Sequence, residues 1–218
     1  MARTNVRKSP KGEQTRHKIL DATIAVIASS GIKGTTHRAV AEQANIQLSL
    51  TTYYFTDIKH LVREAMELSA IRFVADNSNQ WLQGFALIDS YSAADRRKLS
   101  VRKLLCEQLA DLASRHMYDN IINRPQALAV EQIFFTEMMF SDELREIAHS
   151  HIYNLKQPFT KFCRYFNRVD PNVNAELMMI AFTRIQYMYL PLPPQSVKMS
   201  EIRMLVKRQL SWVMGLKT

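Results

Sequence analysis

A chain of 218 residues with 47% apolar and 22% charged side chains and only 5 Gly can bury a sizeable core, which excludes a disordered or fibrous protein. Its formal charge is +9, and residues 1–63 hold ten bases against four acids, so +6 of that excess lies in the first part of the chain. The two cysteines, Cys106 and Cys163, are far apart and in no CxxC pattern, which argues for reduced core thiols and against a zinc site.

The chain opens with "MARTNVRKSPKGEQTRHK", polar and basic and without the apolar segment of a secretory signal. No run approaches the roughly 18 apolar residues that a membrane span needs, so a cytoplasmic protein with no membrane partner is expected. A basic end on a nearly balanced body points to a polyanion at that end, nucleic acid or an anionic surface. The plain alternative is a solvated basic tail.

From Glu13 to Ser30 the apolar residues Ile19, Leu20, Thr23, Ile24 and Ile27 recur at helical spacing, and Gly31 supplies a C-terminal stop. Thr35 or Thr36 can cap a short second helix, "HRAVAEQA", with Ala39, Val40 and Ala44 facing inward. The turn that follows needs a residue tolerant of positive φ, and Asn45 occupies that slot ahead of the apolar plug Ile46. Next comes "QLSLTTYYF", residues 47–55, whose Thr, Tyr and Phe favour a strand by intrinsic preference. No partner strand is on offer, and a helix from Leu48 to Tyr54 explains the stretch better. A helix entering the major groove needs small groups near its start, hydroxyl donors for phosphate oxygens and aromatic rims against the sugars. Ser49, Thr52, Tyr53 and Tyr54 supply these, and no carboxylate stands between Gln47 and Thr56 to repel the backbone. Phe55 reads as core. Asp57 can then cap a long fourth helix through Leu61, Val62, Ala65, Leu68 and Phe73.

The segment "TRHKILDATIAVIASSGIKGTTHRAVAEQANIQLSLTTYYFTDIKHL" resembles the N-terminal domain of the TetR family of transcriptional repressors. It has the opening Thr-Arg, the Ile-Leu-x-Ala core, a Gly ahead of Thr-Thr, a turn, and an aromatic-rich recognition helix. Asn45 stands where the family has a turn Gly, Gln47 where it has a capping Ser, and Thr52 where Tyr is frequent. The resemblance implies DNA contacts from His37, Arg38, Leu48, Ser49, Thr52, Tyr53, Tyr54 and Lys59.

Beyond residue 75 the chain reads as a body of about five further helices. "AADRRKLSVRKLLCEQLADLASRHMYD" carries an amphipathic stripe of Val101, Leu104, Leu105, Leu109 and Leu112. "QALAVEQIFFTEMMF" is apolar nearly all round and reads as buried. Asp142 opens a helix that crosses Pro158 and reaches Phe166, "NVNAELMMIAFTRIQYMYL" follows, and a last helix runs from Ser200 to Met214. Most Phe and Met here suit an ordinary core. The sharper reading is an adaptable apolar cavity lined by Phe134, Met138, Phe162, Met178 and Phe182. Arg184 sits among uncharged helical neighbours, Ile180, Ala181, Tyr187 and Met188. It either reaches the surface or a distant acid, or meets an anionic head on an otherwise apolar ligand. The resemblance also implies an inducer that alters DNA affinity, and a homodimer built by the last two helices in a four-helix bundle.

The expected fold is therefore all-α: an N-terminal helix-turn-helix DNA-binding domain with a basic tail, residues 1–57, and a C-terminal helical ligand-binding and dimerisation domain, residues 58–218. The expected function is a ligand-responsive repressor that binds a palindromic double-stranded operator as a homodimer. The expected inducer is a small apolar molecule, with an anionic group as one option. The main alternative is a helical small-molecule or metal-binding enzyme. It rests on Glu146 and His149, a single Glu-x-x-His where a di-iron site needs two, and on His151, which points about 200° from His149 on a helix. A third reading is a basic-tailed adaptor for membranes or partner helices. No catalytic residue, cofactor or metal is expected.

Overall fold

A computed structural model describes residues 10–137, 142–167 and 169–217. Among them the chain forms α1 (Pro10–Ser30), α2 (His37–Ala44), α3 (Leu48–Tyr54), α4 (Ile58–Asp89), α5 (Leu99–Asn123), α6 (Pro125–Glu137), α7 (Asp142–Phe166), α8 (Pro171–Tyr187) and α9 (Met199–Val213). The all-α expectation holds. None of the described helices is long and apolar enough to cross a membrane.

Local chemistry sets the helix ends. Gly31 follows α1 at φ 68°, in the region where a side chain would be strained. Thr36, not Thr35, caps α2: its hydroxyl accepts from the Ala39 N–H at 3.1 Å. Asn45 ends α2 at φ 49°, as the turn requires. Asp57 Oδ1 accepts from the Lys59 N–H at 2.9 Å and starts α4. That helix runs on past Phe73 to Asp89, because no Gly or Pro interrupts it before Gly84. Helix α7 continues through Pro158. On α2, Ala41 is buried beside Val40 and Ala44, while Ala39 is only half-covered. On α5, Leu105 and Leu109 are buried and Leu104 points outward.

Two apolar cores result. One joins α1, α2 and the first half of α4, and takes in Phe55. It is completed from the body by Val130 and Phe134 of α6 and by Leu144 and Ala148 of α7. The other fills the space among the second half of α4 and α5 to α9. Helices α4, α6 and α7 belong to both, so the two cores are mechanically joined. Ion pairs across α1 and α4 add to this: Arg16 with Glu64, and Arg72 with Asp21 at 2.5 Å.

Candidate nucleic-acid interface and internal cavity

Helices α2 and α3 pack against each other and α2 against α1, so the outer side of α3 is presented to solvent by a buried scaffold. Thr51 and Phe55 anchor α3: both are buried, and the Phe55 N–H donates to the Thr51 carbonyl at 2.9 Å. The Thr51 hydroxyl donates to the Leu48 carbonyl at 2.8 Å, which satisfies it inside the core. Burial of this one side overrides the strand preference of the segment.

Leu48, Ser49, Thr52 and Tyr53 are all exposed, Tyr53 at 78%. Tyr54 is half-buried, packed on the N-terminal core, and meets Tyr53 edge-on with centroids 5.2 Å apart. Arg38 on α2 and Lys59 at the start of α4 are exposed as well. His37 begins α2, and both its ring nitrogens are shut off from solvent without a hydrogen-bond partner among the described residues. No acid lies between Glu42 and Asp57, so the positive N-terminal end of α3 is not offset by a nearby carboxylate, whereas that of α4 is capped by Asp57. Seven of the eight residues expected at a DNA contact thus have solvent-facing or half-covered side chains on α3 and the adjoining starts of α2 and α4, while the His37 ring nitrogens are covered.

The body holds a cavity of about 80 Å³ walled by α4 to α8. Phe73, Trp81, Phe159 and Phe182 give it aromatic walls, with Trp81 edge-on to Phe159 at 4.8 Å and Phe159 edge-on to Phe182 at 5.6 Å. Its polar groups are mostly tied to one another. His116 Nε2 is 2.7 Å from Asn77 Oδ1, and the Asn120 amide, behind the wall, donates to Gln186 Oε1 at 3.2 Å. Burial holds the His116 imidazole below the usual histidine range. Glu131, itself buried, receives His151 Nε2 on Oε1 at 2.7 Å. The Tyr187 hydroxyl is shut off from solvent and has no partner among the described residues. Burial first, and the nearby Glu131 carboxylate second, push its pKa up.

The expected ligand residues divide. Phe182 lines this cavity. Phe162 and Met178 do not: they are packed into the main core, beside a second void of about 30 Å³. Phe134 does not line it either, because its side of α6 faces the N-terminal core. Met138 lies outside the described residues. Arg184 is exposed on the outer face of α8, in line with the exposed Leu177, Ile180 and Met188. The outer face of the adjoining α9 likewise carries exposed Met204 and Trp212. Glu131 and Tyr187 were not singled out by sequence. Among the described residues no group of three or more His, Cys, Asp or Glu is gathered as for a metal ion, and Glu146 and His149 are exposed.

No known family model matches the chain. Over 163 residues it is 24% identical to the HTH-type transcriptional regulator BetI of Burkholderia cenocepacia, an alignment that spans 75% of this chain and 73% of that one. Its fold is similar to that of a protein from Mesorhizobium loti assigned to the TetR family of transcriptional regulators, with a TM-score of 0.68 at 13% identity over 95% of this chain and 98% of that one. It is also similar to the multidrug binding protein EbrR solved with malachite green, with a TM-score of 0.59 at 20% identity over 89% and 96% of the two chains.

Proposed function

We propose that this chain, a member of the TetR family of transcriptional regulators, binds a palindromic operator as a homodimer and loosens its hold when a small molecule fills the internal cavity. It is a DNA-binding regulator and not an enzyme. The division of labour we assign is DNA binding to residues 1–57 and ligand binding with dimerisation to residues 58–218. Helix α4 begins at that border, and its first half packs in the N-terminal core.

One observation carries the DNA reading: the outer face of α3 offers hydroxyls, an exposed Tyr53 and no acid, on a helix fixed from behind by Thr51 and Phe55. In the groove Ser49 and Thr52 would meet base edges and phosphates, and Tyr53 and Tyr54 the sugar-phosphate wall. Arg38 and Lys59 would neutralise phosphates on either side. His37, whose ring nitrogens are shut off from solvent, would have to turn its ring outward to meet a phosphate oxygen.

The repressor reading needs a link from cavity to α3, and α6 supports one. Glu131 lines the cavity while Val130 and Phe134 sit in the core shared with α1. Filling the cavity would press α6 against the N-terminal unit and change the separation of the two recognition helices in a dimer. EbrR, a multidrug binding protein with malachite green bound, supports reading such a cavity as a ligand site. The dimer would be formed by the apolar outer faces of α8 and α9, with Arg184 at that face and not at the ligand.

The test is a gel shift on the duplex upstream of the chain's own gene, against a scrambled duplex of the same length. Salt-resistant preference for the upstream duplex is the expected result. Equal affinity for both at physiological salt would remove the operator reading.

A further inference from the structure

We propose that the cavity is built for a compact organic cation, with the Glu131 carboxylate as its counter-charge and the aromatic walls as its bed. The assignment rests on the cavity being the ligand site, and it replaces an apolar or anionic ligand by one of definite charge.

The walls decide the sign. Among the described residues that line the cavity, none is Lys or Arg, and Glu131 is the one carboxylate. His151 is the carboxylate's partner, but it lies behind it, at ring-contact distance from Phe73 (6.2 Å) and Phe134 (5.8 Å), and is not part of the lining. The ionisable group of this pair that faces the cavity is therefore the carboxylate. His116, held neutral by burial and bonded to Asn77, does not offset it. An anion entering here would give up its hydration and meet a carboxylate with no Lys or Arg in the lining, which is costly. A cation would give up hydration and meet the carboxylate at low dielectric.

The remaining features favour the same guest. Phe159 is edge-on to both Trp81 and Phe182, so ring faces turn different ways around the space, and aromatic faces attract cations. The Tyr187 hydroxyl is near enough to Glu131 to feel its charge, yet has no partner. A buried hydroxyl left in that state is unfavourable, and a ligand's polar group beside Glu131 would satisfy its oxygen. Size adds a limit. At about 10–15 Å³ per water on this measure, the roughly 80 Å³ present holds on the order of six waters, the scale of an alkylammonium head or a small aromatic cation.

Three probes of matched size separate the possibilities: phenyltrimethylammonium, its neutral isostere tert-butylbenzene, and benzoate. Calorimetric titration of the full-length chain should rank the cation first by roughly tenfold or more, the scale of a desolvated charge contact. Glu131→Gln should erase that preference while leaving the isostere's affinity unchanged, and Glu131→Asp should keep it. Equal affinity for cation and isostere, or tighter binding of benzoate, overturns the charge assignment and leaves the ligand site in place. If none of the three binds at millimolar concentration while DNA binding persists, the cavity is not a ligand site of this size and both readings fall. Should either variant fail to melt cooperatively, the ranking on the native chain decides alone.

Discussion

The guanidinium of Arg16 lies over the ring of Phe55, 5.0 Å from its centroid, and the same side chain pairs with Glu64. One residue of α1 thus holds the end of α3 against the start of α4. Phe55 is 1% exposed, so Phe55→Ala should cost about 3–5 kcal/mol of stability in urea denaturation. Tyr53, at the opposite side of α3, should behave otherwise. Tyr53→Ala should change stability by less than about 0.5 kcal/mol and weaken operator binding by about tenfold or more, some 1.4 kcal/mol. Tyr54→Ala should show both effects, since that ring packs on the core as well as on Tyr53. The reverse pattern for Phe55 and Tyr53 would mean that α3 presents its other face.

Arg38 and Lys59 stand exposed on either side of α3 and should each neutralise a phosphate. Each such contact adds about −0.9 to the slope of log affinity against log salt. The Arg38→Ala, Lys59→Ala double variant should therefore flatten the slope by about 2 between roughly 50 and 200 mM salt. A slope equal to that of the native chain would remove both residues from the interface.

The parts of the molecule that were legible in the sequence are those fixed by neighbours in the chain. Gly31 and Asn45 at positive φ, Thr36 and Asp57 as caps, and the buried Thr51–Phe55 side of α3 all follow from local rules. Glu131 was not legible. Its helix reads as apolar, its partner His151 comes twenty residues later on another helix, and only packing brings them together. Phe134 was misassigned for a related reason: periodicity shows that a residue is buried but not which of two cores receives it. Arg184 shows the same limit at a surface. The stripe of Leu177, Ile180 and Met188 looks like core in sequence, yet in one chain it faces solvent.

The thiols give a pH test. Burial pushes Cys163 up to about 11, and burial also raises Cys106, partly offset by its contact with Ser211 at 3.4 Å. For a thiol the raised value means that the unfolded chain ionises first. The folded state keeps its full advantage below the unfolded thiol's ordinary range near 8.5 and loses it as pH rises from there toward 11. Native protein at pH 8 should react with a thiol reagent only as fast as it opens, and denatured protein should react at once at both residues. Rapid labelling of the native chain would show that one of these cysteines is accessible.

The outer faces of α8 and α9 supply the last prediction. Leu177, Ile180, Met188, Met204 and Trp212 are exposed in the single chain, Trp212 at 63%. Together they make an apolar surface larger than isolated exposed residues would. If a second copy covers it, a charge placed there is harmless to the folded monomer and costly in the pair, because it is buried without a partner. Ile180→Glu and Trp212→Glu should each leave stability against urea at low protein concentration within about 0.5 kcal/mol. In sedimentation equilibrium each should weaken dimerisation by on the order of a hundredfold, about 2.7 kcal/mol. Operator affinity should fall with it, because two half-sites about one helical turn apart require two recognition helices. Arg184→Met should alter dimer affinity and leave ligand binding alone, since its side chain stands on this face and not in the cavity. A Trp212→Glu chain that sediments like the native one would place the dimer contact elsewhere.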